Sequence, residues 1–306
     1  MILIITHKAD FTADFIINKL NHRGVAYKRF NCEDILFSDL TVRFEPNLKY
    51  SIFGENNYRS VWFRRTKLPE IKNLPTEERY YILSETDSLL KNLFSILSAK
   101  WLSSPTAVYE AENKLRQLEA ARRIGFNIPN TLITTSKNEL KKFYEANERD
   151  IIIKPISQTR ISLEDDSGFI FTNQISQKHI DELDQFDLTP CIFQKNILKK
   201  YEIRATIVGE KVFAAKVYSQ EDEITKLDWR KKRLNFIEDK LPSEIENLCI
   251  QLLKELDLGF GAIDLIKSAD GQYYFLEINP NGQWVWIENQ TGLKISEAII
   301  EYLTDE

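Results

Sequence analysis

Several things are scarce in this sequence, and each scarcity excludes a class of protein. Cys32, Cys191 and Cys249 are its three cysteines, far apart and with no Cys-x-x-Cys pair. That rules out a disulfide framework and a thiolate zinc site, so the three read as buried thiols of a reducing compartment. His7, His22 and His179 are scattered and take no catalytic assignment. No stretch approaches the roughly 20 apolar residues of a membrane span. The opening Met-Ile-Leu-Ile-Ile-Thr-His is too short, and too poor in basic residues, for a secretory signal, so a cytoplasmic protein with no membrane partner is expected. Ten glycines and nine prolines among 306 residues, with 43% hydrophobic and 28% charged content, exclude a disordered or fibrous chain. A formal net charge of −5 argues against sequence-independent nucleic-acid binding, which needs a basic stripe. Gly-x-x-x-x-Gly-Lys and Gly-x-Gly-x-x-Gly are both absent, so any phosphate must be held by side chains.

The patterning that is present predicts three units of α/β and α+β character. In residues 1–105, the apolar run Ile2 to Thr6 predicts a strand, and the spacing of Phe11, Phe15, Ile16 and Leu20 up to Arg23-Gly24 predicts a helix. Val25 to Phe30 and Ser60 to Phe63 predict further strands. Pro75-Thr76-Glu77-Glu78 opens a helix whose apolar side carries Leu89, Leu90, Leu93, Phe94 and Leu97. In residues 106–190, one helix is expected from Tyr109 to Ile124, stopped by Gly125, and Ile151-Ile152-Ile153 reads as a buried strand ending in Lys154. Residues 191–306 hold strands at Ile192-Phe193 and between Ile203 and Tyr218, and a helix from about Ser243 to Leu256. Two strands, Phe260 to Ile266 and Tyr273 to Ile278, and a last helix, Ile295 to Tyr302, complete the unit.

The most specific feature lies between those two late strands. Asp270-Gly271 predicts a two-residue hairpin loop, which sets Asp264 directly opposite Glu277. Facing carboxylates repel, and a divalent cation removes the penalty. Strand alternation returns Asn279 to the face of Glu277, adding a carbonyl oxygen, while Tyr274, Leu276 and Ile278 are expected to form an apolar row on the other face. Three hard oxygen ligands suit Mg²⁺ completed by water and substrate phosphates. The plain alternative is a solvent-exposed acidic hairpin.

Cations for the phosphates are available nearby in the sequence. Lys154 ends a buried strand, where a charge needs a partner. Lys114 lies on a helix, where a solvated surface lysine is the competing reading. In the strand entered by Tyr201, Glu202 and Arg204 share a face, and Lys216 lies on the returning strand after the turn at Gly209-Glu210. A carboxylate there can accept ribose hydroxyls while Arg and Lys hold phosphate oxygens, or the set can be ordinary cross-strand ion pairs. Asp228-Trp229-Arg230-Lys231-Lys232-Arg233 is a basic cluster in an acidic protein, suited to phosphate or an acidic peptide through Arg230, or simply a solvated face.

In their order along the chain, Lys114, Lys154, the connector from Gln194 to Leu198, Glu202, Arg204, Lys216 and Asp264…Glu277-x-Asn279 resemble the ATP-grasp superfamily, including its RimK-like ligases. Trp62-Phe63-Arg64-Arg65 and Phe275 to Trp284 resemble more narrowly the ATP-grasp maturases of graspetides, the microviridin-type and grasp-with-spasm ligases. The resemblance implies an ATP-grasp fold: an N-terminal pre-ATP-grasp domain (1–105), a central lobe (106–190) and a C-terminal lobe with the metal hairpin (191–306). It implies ATP, with adenine against Gln194, Lys195, Asn196 and Ile197, ribose near Glu202, and phosphates on Lys114, Lys154 and Lys216. Two Mg²⁺ ions would lie on Asp264, Glu277 and Asn279. It also implies a precursor peptide, engaged through leader and core, with Arg230 as a peptide contact, and a homodimer. One departure is the segment Ser157 to Phe169, with a single glycine where many relatives close a Gly-rich loop.

The reaction expected is attack of a peptide Asp or Glu carboxylate on ATP, with Arg204 and Lys154 as the catalytic cations, followed by closure of an ω-ester or ω-amide ring by Thr, Ser or Lys. Two alternatives remain: a RimK-like glutamate ligase using the same ATP site, and a non-catalytic nucleotide- or peptide-binding module.

Overall fold

Ile2–Thr6 has no polar alternation, the pattern of a strand covered on both faces, and it forms β1 (Ile2–Thr6), buried along its whole length. The computed structural model describes all residues except 39, 53, 158–159, 163–166, 186 and 306, and the side chains of 44–45, 47–50, 160–162, 167 and 169 are likewise outside the description. After β1 come α1 (Phe11–His22), β2 (Tyr27–Asn31), the hairpin of β3 (Leu40–Glu45) and β4 (Asn47–Ile52), β5 (Ser60–Phe63), α2 (Thr76–Ile96) and β6 (Lys100–Trp101). The parallel order β2-β1-β5-β6 forms the N-terminal sheet.

The single helix expected from Tyr109 to Ile124 is instead two, α3 (Pro105–Ala111) and α4 (Lys114–Ile124). Asn113 causes the break: its side-chain oxygen accepts from the amides of Leu115 and Arg116, which caps a new helix. Gly125 ends α4 in the left-handed region at φ 105°, as its position predicts.

Next come β7 (Thr131–Thr134), α5 (Lys137–Ala146), β8 (Ile151–Lys154), β9 (Arg160–Ser162), β10 (Ser167–Phe169), β11 (Asn173–Ile175), α6 (Gln177–Asp181) and β12 (Cys191–Lys195). β12 pairs with β8 and β7, so the central sheet runs β11-β8-β12-β7. A boundary at 190 therefore cuts a sheet: the ladder bonds of β12 tie it to the central lobe, and the crossing falls at Asn196 to Leu198. The final unit holds β13 (Lys199–Val208), β14 (Lys211–Val217), β15 (Ile237–Asp239), α7 (Ser243–Glu255), β16 (Phe260–Ser268), β17 (Tyr273–Asn279), α8 (Val285–Thr291) and α9 (Ile295–Thr304), with sheet order β15-β14-β13-β16-β17.

One core joins the two ends of the chain. Leu3, Ile5, Val61 and Phe63 of the N-terminal sheet belong to the same buried cluster as Ile203, Ala205, Ile207, Ile263, Leu265, Phe275 and Ile278 of the last sheet. The opposite face of β13, β16 and β17 carries Glu202, Arg204, Asp264, Glu277 and Asn279 beside a few apolar residues. Cys32 and Cys249 are buried and Cys191 partly so; all three are free, and burial pushes the Cys249 thiol up to about 12. Among the described residues no helix is long and apolar enough to cross a membrane.

A buried polar bridge also ties the N-terminal sheet to the chain beyond β17. Arg64, 1% exposed, places Nε 3.4 Å from Asp10 Oδ2 and Nη1 3.4 Å from the carbonyl oxygen of Asn281. Thr12 donates to Gln283 at 2.7 Å. Burial opposes the Asp10 charge, but Arg64 and the hydrogen bonds from Thr6, Ala13 and Thr12 hold its carboxyl below the usual range. A depressed carboxyl contributes stability above its unfolded value and loses it as pH falls through the folded value. Asp10→Asn, which keeps the cap of α1, should lower the unfolding free energy at pH 7 by about 3–5 kcal/mol in urea titrations, because it strands a buried guanidinium. The gap to the wild type should narrow in acid; an equally stable variant would contradict this role.

Candidate active site

Side chains on one face of β13, β16 and β17 line up because the three strands are antiparallel neighbours. Arg204 pairs across to Asp264, and Asp264 across to Glu277, with Ala262 opposite Asn279 one step along. Arg204 Nη1 lies 2.8 Å from each carboxylate oxygen of Asp264. Glu277 Oε2 is 2.8 Å from Nζ of Lys114, which the Asn113 cap has set at the first position of α4. The row thus reads cation, carboxylate, carboxylate, cation. Burial drives the Asp264 carboxyl up, and the Glu277 charge beside it adds to that despite Arg204. Burial would raise Glu277 too, but Lys114, Lys154 and Arg230 hold it down at about 2.

The carboxylates face each other as expected, but by a different route. The turn is three residues, Ala269 to Gly271, with Gly271 at φ 88° and the ladder closing between Ser268 and Gln272. Pairing from that end runs Lys267 to Tyr273 and Leu265 to Phe275, which is one residue out of step; a bulge between Asp264 and Leu265 restores the Asp264–Glu277 pair. The bulge also overturns the expected apolar row of Tyr274, Leu276 and Ile278. Phe275 and Ile278 are the fully buried residues of β17, and Leu276 lines the cleft instead.

That cleft, about 460 Å³, is walled by the central sheet on one side and the last sheet on the other. Lys114, Lys154, Gln194, Lys195, Asn196, Ile197, Glu202, Arg230, Asp264, Glu277 and Asn279 all line it. Burial lowers the Lys154 ammonium from its ordinary value, with Glu277 opposing that and Lys114 and Arg230 adding to it. Gln194 Nε2 donates to Thr131 at 2.9 Å, while its buried Oε1 has no hydrogen-bond partner. Glu202 is pushed up by burial and sits 3.1 Å from Lys199, yet the same Oε1 makes no well-directed hydrogen bond. Asn196 donates to Asp150 at 3.1 Å, and Lys195 lies 3.4 Å from Glu148.

One expectation changes. Lys216 pairs across strands with Ile203, not with Glu202 or Arg204, so it lies on the opposite face of the sheet. There Asp239 holds it at 2.9 Å and raises its pKa, away from the cleft and its phosphate role. Arg230 lines the cleft and stays exposed there: Asp228 grips its guanidinium through Nε at 2.8 Å and raises its pKa, and Asp228 also accepts from the Thr172 amide of the central lobe. The departure noted between Ser157 and Phe169 falls largely outside the described residues.

Sequence reasoning missed other members of the site. Lys199 neutralises Glu202, and Asp228 links the lobes while aiming Arg230. Gln117, buried in α4, uses its amide as a strand edge, donating to the carbonyl of Ile278 at 2.8 Å and accepting from its N–H at 3.1 Å. A Gln on the buried side of a helix is the signal that could have shown it. Gly282 allows the turn after Asn279 to touch the row: a Cβ there would come 2.7 Å from Arg204 Nη2 and 2.6 Å from Ala262 Cβ.

The donor set fits a magnesium nucleotide. Gln194, whose buried Oε1 has no hydrogen-bond partner, and Glu202, whose Oε1 is met by Lys199 alone, both line the cleft and offer acceptors for an amino group and a hydroxyl. Among the described residues no three His, Cys, Asp or Glu cluster to hold a metal alone. Two carboxylates and an amide oxygen thus leave coordination positions for phosphate and water, the habit of Mg²⁺.

Comparison with known proteins agrees with this geometry. The RimK-like ATP-grasp domain family matches residues 111–303. A RiPP-associated ATP-grasp ligase of Chryseobacterium gregarium, solved with ADP and a leader and core peptide, superposes with a TM-score of 0.90 at 31% identity, covering 99% of this chain and 96% of that one. Macrocyclase MdnC of Microcystis aeruginosa, solved with precursor peptide MdnA, gives 0.86 at 30% identity, covering 100% and 99%. A probable alpha-L-glutamate ligase of Picosynechococcus sp. is 26% identical over 69% of each chain.

Gly282→Ala should drive Arg204 off Asp264 and lower turnover at least about tenfold, while the overpacking costs about 1–3 kcal/mol of stability. Steady-state kinetics alongside thermal unfolding read both; wild-type turnover in a folded variant would show that the turn does not press on Arg204.

Proposed function

The chain belongs to the RimK-like ATP-grasp family and is an ATP-dependent ligase, and from that premise we propose that it macrocyclises a ribosomally made precursor peptide. The observation that carries the reading is the row Arg204–Asp264–Glu277–Lys114 at the foot of a cleft whose opposite wall supplies Lys154 and the connector. Resemblance over the whole chain, N-terminal unit included, to two enzymes solved with their peptides supports that substrate class over others. In this reading Gln194, Lys195, Asn196 and Ile197 hold the adenine, Glu202 the ribose, and Lys114 and Lys154 the phosphates. Asp264, Glu277 and Asn279 hold two Mg²⁺ ions, which supply charge neutralisation and polarise the phosphate oxygens. The enzyme works in the cytoplasm, where its thiols stay reduced, and as a homodimer, for which the exposed Tyr80 and Tyr81 of α2 offer apolar surface.

The chemistry runs in two steps. A side-chain carboxylate oxygen of the peptide bonds to the γ-phosphorus of ATP, the bond to the ADP oxygen breaks, and an acyl phosphate forms. A Thr or Ser hydroxyl, or a Lys amine, then attacks the acyl carbon, phosphate leaves, and the proton of the nucleophile passes to phosphate or solvent. Lys154 offsets charge on the transferring group. Arg204, once its Asp264 is neutralised otherwise, stabilises the tetrahedral oxyanion. No covalent enzyme intermediate is needed; the protein contributes positioning and charge.

A second reading, glutamate ligation to a free carboxylate, rests on the curated relatives, which match at lower identity over a smaller share of the chain. Incubation with ATP, Mg²⁺ and a Thr- and acid-rich precursor peptide separates the two. Loss of one water mass per ring is expected, whereas ADP release that requires free glutamate would point to the second reading. Glu277→Ala should abolish turnover, and full activity in that variant would remove the metal assignment.

A further inference from the structure

Six cationic side chains line the cleft, and most of them are already engaged. Lys114 is held by Glu277 at 2.8 Å, Lys195 by Glu148 at 3.4 Å, Lys199 by Glu202 at 3.1 Å and Arg230 by Asp228 at 2.5 Å. Among the described residues only Lys154 and Arg65 make no ion pair. Lys154 ends β8 on the wall assigned to the nucleotide. Arg65 is exposed, and it is the one cleft-lining residue contributed by residues 1–105. From these observations we infer that Arg65 is the binding site for the acceptor carboxylate, the Asp or Glu side chain that takes up the phosphoryl group. The assignment rests on the ligase reading above and names the residue that holds its first substrate group.

The fold gives Arg65 a fixed base. It is the second residue after β5, and the Arg64 amide between them donates to the carbonyl of Ile5 at 2.9 Å. Arg64 itself turns inward, 1% exposed, held between Asp10 and the carbonyl of Asn281. Alternation along the chain then turns Arg65 outward into the cleft. Asn281 is two residues beyond Asn279 and its N–H donates to the side-chain oxygen of Asn279 at 3.2 Å, so the mount of Arg65 and the metal ligand share one turn. The Arg65 charge reaches Glu112, at the break between α3 and α4, and opposes the rise that burial gives its carboxyl, but the two form no ion pair. The guanidinium is therefore available to an incoming anion.

Chemistry asks for such a group. Carboxylate and triphosphate are both anions, and in-line attack requires the carboxylate to be held against their repulsion. A guanidinium matches a carboxylate with two parallel N–H···O bonds, and unlike a lysine it remains charged in a partly desolvated cleft. Placed on the N-terminal unit, it lines the cleft from a part of the chain that supplies none of the residues assigned to the nucleotide. It also discriminates: an amide in place of the acid loses the ion pair.

The test traps the first half-reaction. With ATP, Mg²⁺, the precursor peptide and hydroxylamine, the acyl phosphate is read as peptide hydroxamate; ADP binding by calorimetry is the second readout. Arg65→Ala should lower kcat/KM for the peptide by about 10–100-fold, chiefly through KM, since a charge-assisted pair is worth about 1.5–3 kcal/mol. Arg65→Lys should recover part of that loss, and ADP affinity should stay at the wild-type value in both variants. A peptide with Asn and Gln at its acidic core positions should inhibit the wild type and Arg65→Ala equally, because it offers no carboxylate to lose. Unchanged kcat/KM in Arg65→Ala, or a parallel fall in ADP affinity, would overturn the assignment. A wild-type enzyme that binds ADP and forms no hydroxamate would instead overturn the macrocyclase reading, and the assignment with it.

Discussion

Asp264 and Glu277 face each other across β16 and β17, and each is neutralised by a cation from a different part of the chain: Arg204 from the adjacent strand, Lys114 from the start of α4. Like charges set opposite each other on a sheet destabilise it unless compensated. The neighbourhood follows from that constraint. Arg204 must be on β13 in register with Asp264, α4 must begin rather than continue at Lys114, and the turn after Asn279 must contain a glycine to leave the guanidinium room. The opposed directions of the two carboxyls, Asp264 up and Glu277 down, express one arrangement in which the pair shares more positive charge on the Glu277 side.

The same row gives the N-terminal unit its part in the site. Its sheet shares a core with the last sheet, and Arg64 crosses between them with both ends of its guanidinium engaged. A buried guanidinium with one nitrogen left unpartnered is costly. What the position secures is a connection from β5 to the turn that carries Asn279 at one end and Gly282, against Arg204, at its middle. A group held on this unit is thereby held in the frame of Lys114, Asp264 and Glu277.

The two cleft walls are joined more sparingly. The connector Asn196 to Leu198 runs from β12 to β13, and Asp228 ties its own lobe to the Thr172 amide. Arg230, aimed by Asp228, lies at this seam with its side chain exposed in the cleft. The electrostatic design is consistent across the site: each acid that lines the cleft has a close cation, and cations outnumber them, which suits a polyanionic nucleotide.

Much of this was legible from the amino acids alone. The strands at 2–6 and 60–63, the helix from 243 and the hairpin around Asp270-Gly271 declare themselves by run length, alternation and turn residues, because those signals are local. The pairing of Asp264 with Glu277 was legible too, though it arises from a three-residue turn and a bulge that cancel in register. Only tertiary structure decided what depends on register or on distant partners. Lys216 could be placed on a strand but not on a face until Ile203 was seen opposite it. The cap at Asn113 is local, but only the packing showed that the Lys114 it places meets Glu277. Arg65 became a candidate only when every other cation around it could be checked for a partner. Sequence thus determined which chemistry the chain carries, and long-range pairing determined which of those groups meet.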